Sequence, residues 1–160
     1  MTQEQILEYL SAIHDPEIPV LNIVEMGIVR SVSFKEHQTV VTITPTYSGC
    51  PAMRVIEEEI IATLKEREIE NVTLKTEYFP AWTTDMLTAT AKEKLQNYGI
   101  APPRHIVQNE LVQITLPQKI TCPYCLSEKT KLKSAFSSTS CKALYFCENC
   151  IQPFEHFKEI

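Results

Sequence analysis

The sequence predicts an α+β protein: a small α-β-β-α-β-α domain at residues 1–100, followed by a zinc ribbon at residues 117–160. Two observations lead to this prediction. Apolar residues in the first part follow helical and strand spacings in turn, and four of the six cysteines form two C-x-x-C pairs near the C-terminus. Residues 101–116, which include Pro102 and Pro103, are expected to form a linker with an extra strand.

Composition and charge narrow the classes of protein that fit. The chain of 160 residues is 44% hydrophobic and 22% charged, as ordinary globular proteins are. Residues 1–116 carry 16 acids and 9 Lys or Arg, which makes this part a poor binder of nucleic acid. The N-terminus lacks the pattern of a signal peptide, and no apolar run approaches the roughly 20 residues that span a bilayer. We therefore expect a cytoplasmic protein that binds neither nucleic acid nor membrane.

The first helix and the turn after it are predicted from local signals. Thr2 and Gln5 fit a capping box, and the helix is expected to end near His14, ahead of a proline. Asp15 and Glu17 then place two carboxylates in a turn held by prolines. They could bind a cation or accept backbone hydrogen bonds, and a helix stop with an Asx-type turn is the alternative interpretation.

The remaining elements complete the predicted order. Alternating and β-branched residues indicate strands, and four-residue apolar spacing indicates helices. The predicted strands are Ile28 to Phe34, Thr39 to Thr44 and Asn71 to Tyr78. The predicted helices run from Met53 to about Glu68 and from Thr83 or Thr84 to the residue before Gly99, which suits the C′ position. This order favours a small sheet with helices packed on one face.

A single cysteine occupies a predicted strand-to-helix turn. Cys50 precedes Pro51, which suits the first position of a helix because it has no N–H to leave unbonded. Cys50 would then lie at or next to the N-cap, where the positive end of the helix dipole favours a thiolate. It is therefore a candidate nucleophile or metal ligand, and a buried capping residue is the alternative.

The cysteine pairs near the C-terminus have the spacing of a metal ribbon. They are Cys122 with Cys125 and Cys147 with Cys150. Two such knuckles bring four thiolates to one tetrahedral site, about 2.3 Å from a zinc ion. Rubredoxin-type iron has similar spacing, although the glycine that often follows its knuckles is absent here, and two disulfides are a further alternative.

Two other residues of this region remain open. Cys141 could be a spare ligand, a reactive thiol beside Lys142 or a packed cysteine. His156 is interpreted as a surface histidine between aromatic residues, because four cysteines already complete the metal site.

These motifs together resemble a known family. Asp15-Pro16-Glu17-Ile18-Pro19, the strand start at Gly27, and Gly49-Cys50-Pro51-Ala52 opening a helix resemble the MIP18-type domain, also called DUF59, over residues 1–98. That family is linked to iron–sulfur cluster assembly. The appended ribbon narrows the resemblance to the accessory subunits of bacterial phenylacetyl-CoA ring-epoxidase systems in phenylacetate degradation.

The resemblance implies a non-catalytic maturation factor. Cys50 matches the family's cysteine and Asp15 and Glu17 match its acidic turn, so they would assist iron or iron–sulfur cluster insertion. The implied partners are the oxygenase and reductase subunits, with a homodimer as a further expectation. The implied cofactors are structural zinc on the ribbon and a transient iron ion or cluster.

Three rival interpretations remain. The first is a structural interaction module without metal transfer. The second is a thiol enzyme that uses Cys50, with His14 or His37 as base. The third is a nucleic-acid-binding ribbon, which the charge disfavours because four zinc-bound thiolates offset the positive charge of the tail.

Overall fold

The computed structural model describes residues 2–47, 49–104 and 119–160. The chain divides into two compact units, Met1–Ala91 and Lys92–Ile160. The division falls earlier than the domain boundary expected at residue 100. The strand expected at Glu110 to Leu116, and most of the expected linker, lie outside the described residues. None of the helices in the described ranges is long and apolar enough to cross a membrane.

The first unit begins with the predicted capping box. α1 spans Gln3–Leu10, with Thr2 as its N-cap. The Thr2 backbone N–H donates to Gln5 Oε1 at 2.9 Å, and the Gln5 backbone N–H donates to Thr2 Oγ1 at 3.3 Å. The helix buries Ile6 and Leu10 completely, so its apolar spacing sets the face that enters the core.

The prediction that α1 continues to about His14 is wrong. Ser11 caps the helix, its hydroxyl donates to the Glu8 carbonyl at 2.7 Å, and a short turn follows. His14 instead pairs with Asn22 in an isolated antiparallel bridge. The serine hydroxyl offers the last turn a local partner, and the tertiary pairing of His14 requires an extended backbone.

The first unit contains a mixed three-stranded sheet in the order β1-β2-β3. The strands are β1 at Val29–Lys35, β2 at Gln38–Ile43 and β3 at Val72–Thr76. β1 and β2 are antiparallel and join through Glu36 and His37, which both have positive φ as in a type I′ hairpin turn. β3 pairs in parallel with β2, so the carboxyl ends of these two strands are adjacent.

The crossover between the parallel strands is α2, which spans Ala52–Glu66. Its inward face repeats at three and four residues, packs against α1 and β3, and consists of Ala52, Met53, Ile56, Ile60 and Leu64. The last three side chains are completely buried, as are Val41 and Ile43 of β2. A helix covering this sheet is the arrangement that the sequence predicts.

The segment after β3 departs from the predicted third helix. Thr84–Met86 forms one 3₁₀ turn, Leu87 then has extended dihedrals, and α3 spans Ala89–Tyr98. The Thr88 hydroxyl caps α3 by accepting from the Ala91 backbone N–H at 3.1 Å. The helix therefore begins after Thr83 and Thr84, and Gly99 ends it with φ +89° as predicted.

The second unit is built on a four-stranded sheet in the order β4-β7-β6-β5. The strands are β4 at Ile100–Ala101, β5 at Thr130–Ser134, β6 at Lys142–Cys147 and β7 at Gln152–Phe157. β4 runs parallel to β7, and the other pairs are antiparallel. A small core of Ala101, Ile120, Cys122, Cys147 and Phe154 lies beneath the cysteine knuckles.

Candidate metal centre and cysteine turn

The four knuckle cysteines converge on one site. The Sγ atoms of Cys122 and Cys150 are 3.7 Å apart, those of Cys125 and Cys147 are 3.6 Å apart, and all four lie within 4.8 Å of one another. Four sulfurs at 2.3 Å from one ion would be about 3.8 Å apart at the corners of a tetrahedron. The arrangement therefore fits a four-coordinate thiolate site, and all six cysteines are free, so the disulfide alternative is wrong.

The backbone of both knuckles is shaped around the sulfurs. Each knuckle is followed by a residue with φ +59°, Leu126 in the first and Ile151 in the second. This is the position where a glycine is often found, because a left-handed backbone is unfavourable for a residue with a Cβ. Backbone N–H groups of Tyr124 and Cys125 donate to the Cys122 sulfur, as expected of a thiolate ligand.

The thiol electrostatics also indicate a cation site. A hydrogen bond from the Ser127 backbone N–H lowers the pKa of Cys125 to about 6. Burial and the neighbouring thiols raise the pKa of Cys150 to about 12. Four thiolates this close repel one another, so a divalent ion is needed to hold them all deprotonated. Zinc would be held by Cys122, Cys125, Cys147 and Cys150 as a structural ion.

Cys141 lies apart from this ligand set. It is buried, its sulfur is 3.1 Å from Thr139 Oγ1, and its carbonyl accepts from the Lys158 backbone N–H at 3.0 Å. Among the described residues, the convergent metal-ligating group does not include it. The structure therefore supports the packed-cysteine interpretation and not the spare ligand.

The interpretation of His156 as a surface histidine is wrong. The side chain is 2% exposed. Its Nδ1 atom lies 3.0 Å from the Ala101 carbonyl and its Nε2 atom 3.3 Å from Glu159 Oε2. Burial disfavours ionisation of Glu159, but hydrogen bonds from His156 and the Arg104 backbone outweigh it and lower the pKa of Glu159 to about 2. No local pattern could show this burial, because Ala101 of β4 is 55 residues away along the chain.

Cys50 lies in the turn between β2 and α2. Its backbone N–H donates to the Tyr47 carbonyl at 3.2 Å, and its carbonyl accepts from the Met53 N–H at 3.3 Å. Pro51 is the N-cap and offers no side-chain bond, and the first turn of α2 contains no acid. The positive end of the helix is therefore not neutralised by these residues. Cys50 is half-buried, so the residue combines partial exposure with a helix start.

The acidic turn has the Asx geometry that the sequence offered as one interpretation. Asp15 is buried, and its Oδ1 atom accepts from the backbone N–H groups of Glu17 and Ile18, both at 2.8 Å. Hydrogen bonds connect this segment through Ile23 and Ile28 to Thr44, the residue that follows β2. These bonds join the loop that follows α1 to the segment that follows β2.

One of the two histidines proposed as bases for a thiol enzyme, His37, is poorly placed relative to Cys50. His37 lines a depression with Glu68 and Ile69, beyond the C-terminal end of α2. Cys50 precedes the N-terminal end of the same helix, and fifteen residues span about 22 Å. His14 is exposed and its Nδ1 atom lies 3.1 Å from the Ala12 carbonyl. The structure gives no support to a catalytic pair with His37.

The fold and sites define a class of two-part proteins: a small α+β domain with one cysteine at a helix start, and a four-cysteine ribbon. The family described as iron–sulfur cluster assembly protein matches residues 3–74, and the PaaD zinc beta ribbon domain matches residues 108–158. The chain belongs to this family of iron–sulfur cluster assembly proteins, among the members that carry a PaaD-type zinc ribbon.

Relatives cover both the whole chain and its first part. An Escherichia coli strain K12 protein, provisionally named as one of the subunits of 1,2-phenylacetyl-CoA epoxidase, is 44% identical over 96% of this chain and 91% of its own. An Fe-S protein maturation auxiliary factor of Porphyromonas gingivalis is 31% identical over 59% of this chain and 90% of its own. The crystal structure of a DUF59 domain from Bacillus anthracis matches with TM-score 0.54 and 27% identity, over 58% of this chain and 90% of that one. These findings confirm the MIP18-type resemblance.

Proposed function

We propose that this protein is a non-catalytic maturation factor that assists the insertion of iron or an iron–sulfur cluster into a phenylacetyl-CoA epoxidase. The relative that matches nearly the whole chain is named as a subunit of that system, and the shorter relative is named as a maturation factor. Cys50 is proposed as the transfer ligand, with Asp15 and Glu17 in support. A cytoplasmic location belongs to the proposal, because six free thiols suit a reducing compartment.

The observation that supports a transfer site best is the isolation and exposure of Cys50. It is the only cysteine in residues 1–116, and it is half-buried at the start of α2. One thiolate holds a soft metal weakly compared with four. Release is therefore a ligand exchange without net redox change: the Cys50–metal bond breaks as a thiolate or other ligand of the client binds.

One cysteine per chain leaves ligands to be supplied from elsewhere. Carboxylates are poor ligands for soft metals compared with thiolates, so Asp15 and Glu17 do not replace the missing sulfurs. We therefore propose that a labile cluster is held between two copies of the chain, or between the chain and its client. In both cases the cluster is cargo, while the zinc of the ribbon is resident.

Anaerobic reconstitution tests the proposal. The full-length chain is loaded with iron and sulfide, analysed for zinc, iron and labile sulfide, and mixed with purified apo-oxygenase and apo-reductase of the same system. Cys50→Ser should abolish iron uptake beyond background and activation of the epoxidase, with zinc content unchanged. Cys141→Ser is the matched control and should retain both. Full uptake and activation by Cys50→Ser would exclude Cys50 as the transfer ligand.

One observation favours a second candidate, a structural interaction module. Tyr124, Leu126 and Ile151 expose 57%, 69% and 64% of their surface beside the metal centre. Apolar side chains at the tips of both knuckles suit a docking surface. In this case the chain co-purifies stably with the oxygenase, Leu126→Ser with Ile151→Ser abolishes that association, and Cys50→Ser leaves activity intact.

A further inference from the structure

The loop after β3 exposes an apolar stretch on the first unit. Phe79 is 85% exposed and Tyr78 is 59% exposed. Pro80 and Ala81, which follow them, are exposed as well. Isolated exposed apolar residues are common on protein surfaces, but four consecutive ones that include two aromatic rings are a feature of interaction sites.

The loop is anchored at three points around these rings. The Glu77 backbone N–H donates to the Ile43 carbonyl at 2.9 Å, and Arg30 donates to the carbonyl of Pro80. Beyond it, the indole N–H of Trp82, 3% exposed, donates to the Met26 carbonyl at 2.9 Å. The stretch is therefore held in place while Phe79 points into solvent. A backbone segment that is already held in place loses little conformational entropy on binding.

The sheet register puts this loop beside the start of the Cys50 turn. β2 and β3 are parallel and Ile43 pairs with Thr76, so the segments that follow them leave from adjacent points. Neighbouring strands lie about 4.8 Å apart. Arg30 links the two segments, because the same guanidinium nitrogen that donates to Pro80 lies 3.4 Å from Thr44 Oγ1.

The net charge of the first unit defines the kind of partner that it attracts. Residues 1–91 contain 14 acids and 6 Lys or Arg, a formal charge of −8. A partner surface rich in Lys and Arg would be steered toward this unit, and an acidic partner would be repelled. An apolar pocket large enough for a phenyl ring would then receive Phe79.

We infer that Phe79, supported by Tyr78, is the anchor by which the client protein docks, through an apolar pocket with a basic rim, next to the Cys50 turn. The inference rests on the proposed function, because it identifies the surface on which the recipient of the metal is held. It assigns the two tasks to different residues: Phe79 binds the recipient and Cys50 holds the cargo.

Binding is measured between the full-length zinc-loaded chain and the purified oxygenase and reductase subunits of the same system. Phe79→Ala should raise the Kd for one of these subunits about tenfold or more, and Phe79→Trp should keep it near the wild-type value. Phe34→Ala is the matched control. Phe34 is 45% exposed on the same unit, but it pairs with Thr39 at the hairpin end of the sheet. Binding should also weaken as salt rises.

The outcomes separate this inference from the proposed function. Cys50→Ser should bind the subunits as the wild-type chain does and fail to transfer iron to them. Phe79→Ala should load iron normally, and a higher concentration of this variant should be needed to activate the epoxidase. Equal binding by Phe79→Ala and Phe34→Ala overturns the docking inference and leaves Cys50 unaffected. The docking inference is also overturned if the wild-type chain binds none of the subunits. Loss of a dimer by Phe79→Ala, measured by sedimentation, would instead assign the loop to self-association.

Discussion

Lys142 Nζ lies 3.1 Å from Glu155 Oε2 across the β6–β7 hairpin, and the lysine side chain is only 6% exposed. The other carboxylate oxygen accepts from the hydroxyls of Ser137 and Ser138 at 2.6 and 2.7 Å. The pair therefore joins the loop before β6 to the last strand. A buried ion pair of this kind leaves an uncompensated charge when one partner is removed.

Lys142→Met should destabilise the zinc-loaded ribbon by about 3 kcal/mol, because the Glu155 carboxylate loses its cation in a partly buried site. Urea unfolding monitored by zinc release to a coloured chelator provides the measurement. Lys131→Met is the control, since Lys131 pairs with Glu148 but is 64% exposed, and it should cost less than about 1 kcal/mol. Equal effects of the two substitutions would contradict a structural role for the buried pair.

The Glu155 carboxylate should also give the ribbon a specific pH dependence. Burial opposes its ionisation, but hydrogen bonds from Ser137, Ser138 and Lys142 outweigh this and lower the pKa of Glu155 from 4.5 to about 2. A lowered pKa in the folded state contributes stability that is present above pH 4.5 and is lost as the pH falls toward 2.

Glu155→Gln should therefore be less stable than the wild-type chain by on the order of 2–3 kcal/mol at pH 7. The difference should stay constant down to about pH 5 and shrink below about pH 4.5. Urea unfolding of cadmium-loaded protein at each pH provides the measurement, because cadmium is softer than zinc and binds the thiolates more strongly. A difference that grows on acidification would have the wrong sign for a lowered pKa.

Zinc removal should unfold the second unit and spare the first. The cluster beneath the knuckles consists of five buried residues, whereas zinc contributes about 10–16 kcal/mol in small zinc-dependent folds. A strong chelator should abolish amide exchange protection in β5, β6 and β7. The emission of Trp82, the one tryptophan of the chain, should not change.

Two cysteine variants test the role of zinc in the second unit without a chelator. Cys147→Ser removes a completely buried ligand and should lower zinc content well below one per chain. Cys141→Ser should retain one zinc, because Cys141 lies outside the ligand set. Protected ribbon amides in the chelated protein would show that the sheet is stable without metal.

The left-handed residues of the knuckles should be sites of stabilisation. Ile151 is β-branched and has φ +59°, a conformation that costs roughly 1–2 kcal/mol for a residue with a Cβ. Ile151→Gly should therefore raise the ribbon's stability by about 0.5–1 kcal/mol after the flexibility of glycine is subtracted. Leu132→Gly, at an exposed β5 position, is the control and should destabilise. A stability loss at Ile151 would show that its side chain packs favourably.

Local signals predicted much of the fold. The Thr2 capping box and each of the two C-x-x-C knuckles depend on residues within a few positions of each other. The order of helices and strands followed from apolar spacing, and the ribbon from cysteine spacing. These features need no tertiary information, because the interactions that define them are nearly contiguous in sequence.

The errors concern residues whose environment is set by distant partners. His156 is buried against the Ala101 carbonyl, 55 residues away. His14 lies beyond the end of α1 and pairs with Asn22. The extended backbone of Leu87 and the Thr88 cap delay the start of α3. The exposure of Phe79 was not predicted either, since a phenylalanine side chain is ordinarily expected to be buried.

The parallel pairing of β4 with β7 has a consequence for synthesis on the ribosome. Ile100 pairs with Glu155, the two being 55 positions apart. At a translation rate of about 5–20 residues per second, roughly 3–11 s pass between the synthesis of Ile100 in β4 and that of its partner in β7. The first unit is fully translated by then, whereas the ribbon sheet closes only after β7, at Gln152–Phe157, has been made. A ribbon transplanted from residue 119 onward would lack this edge strand, so a functional graft must begin before Ile100.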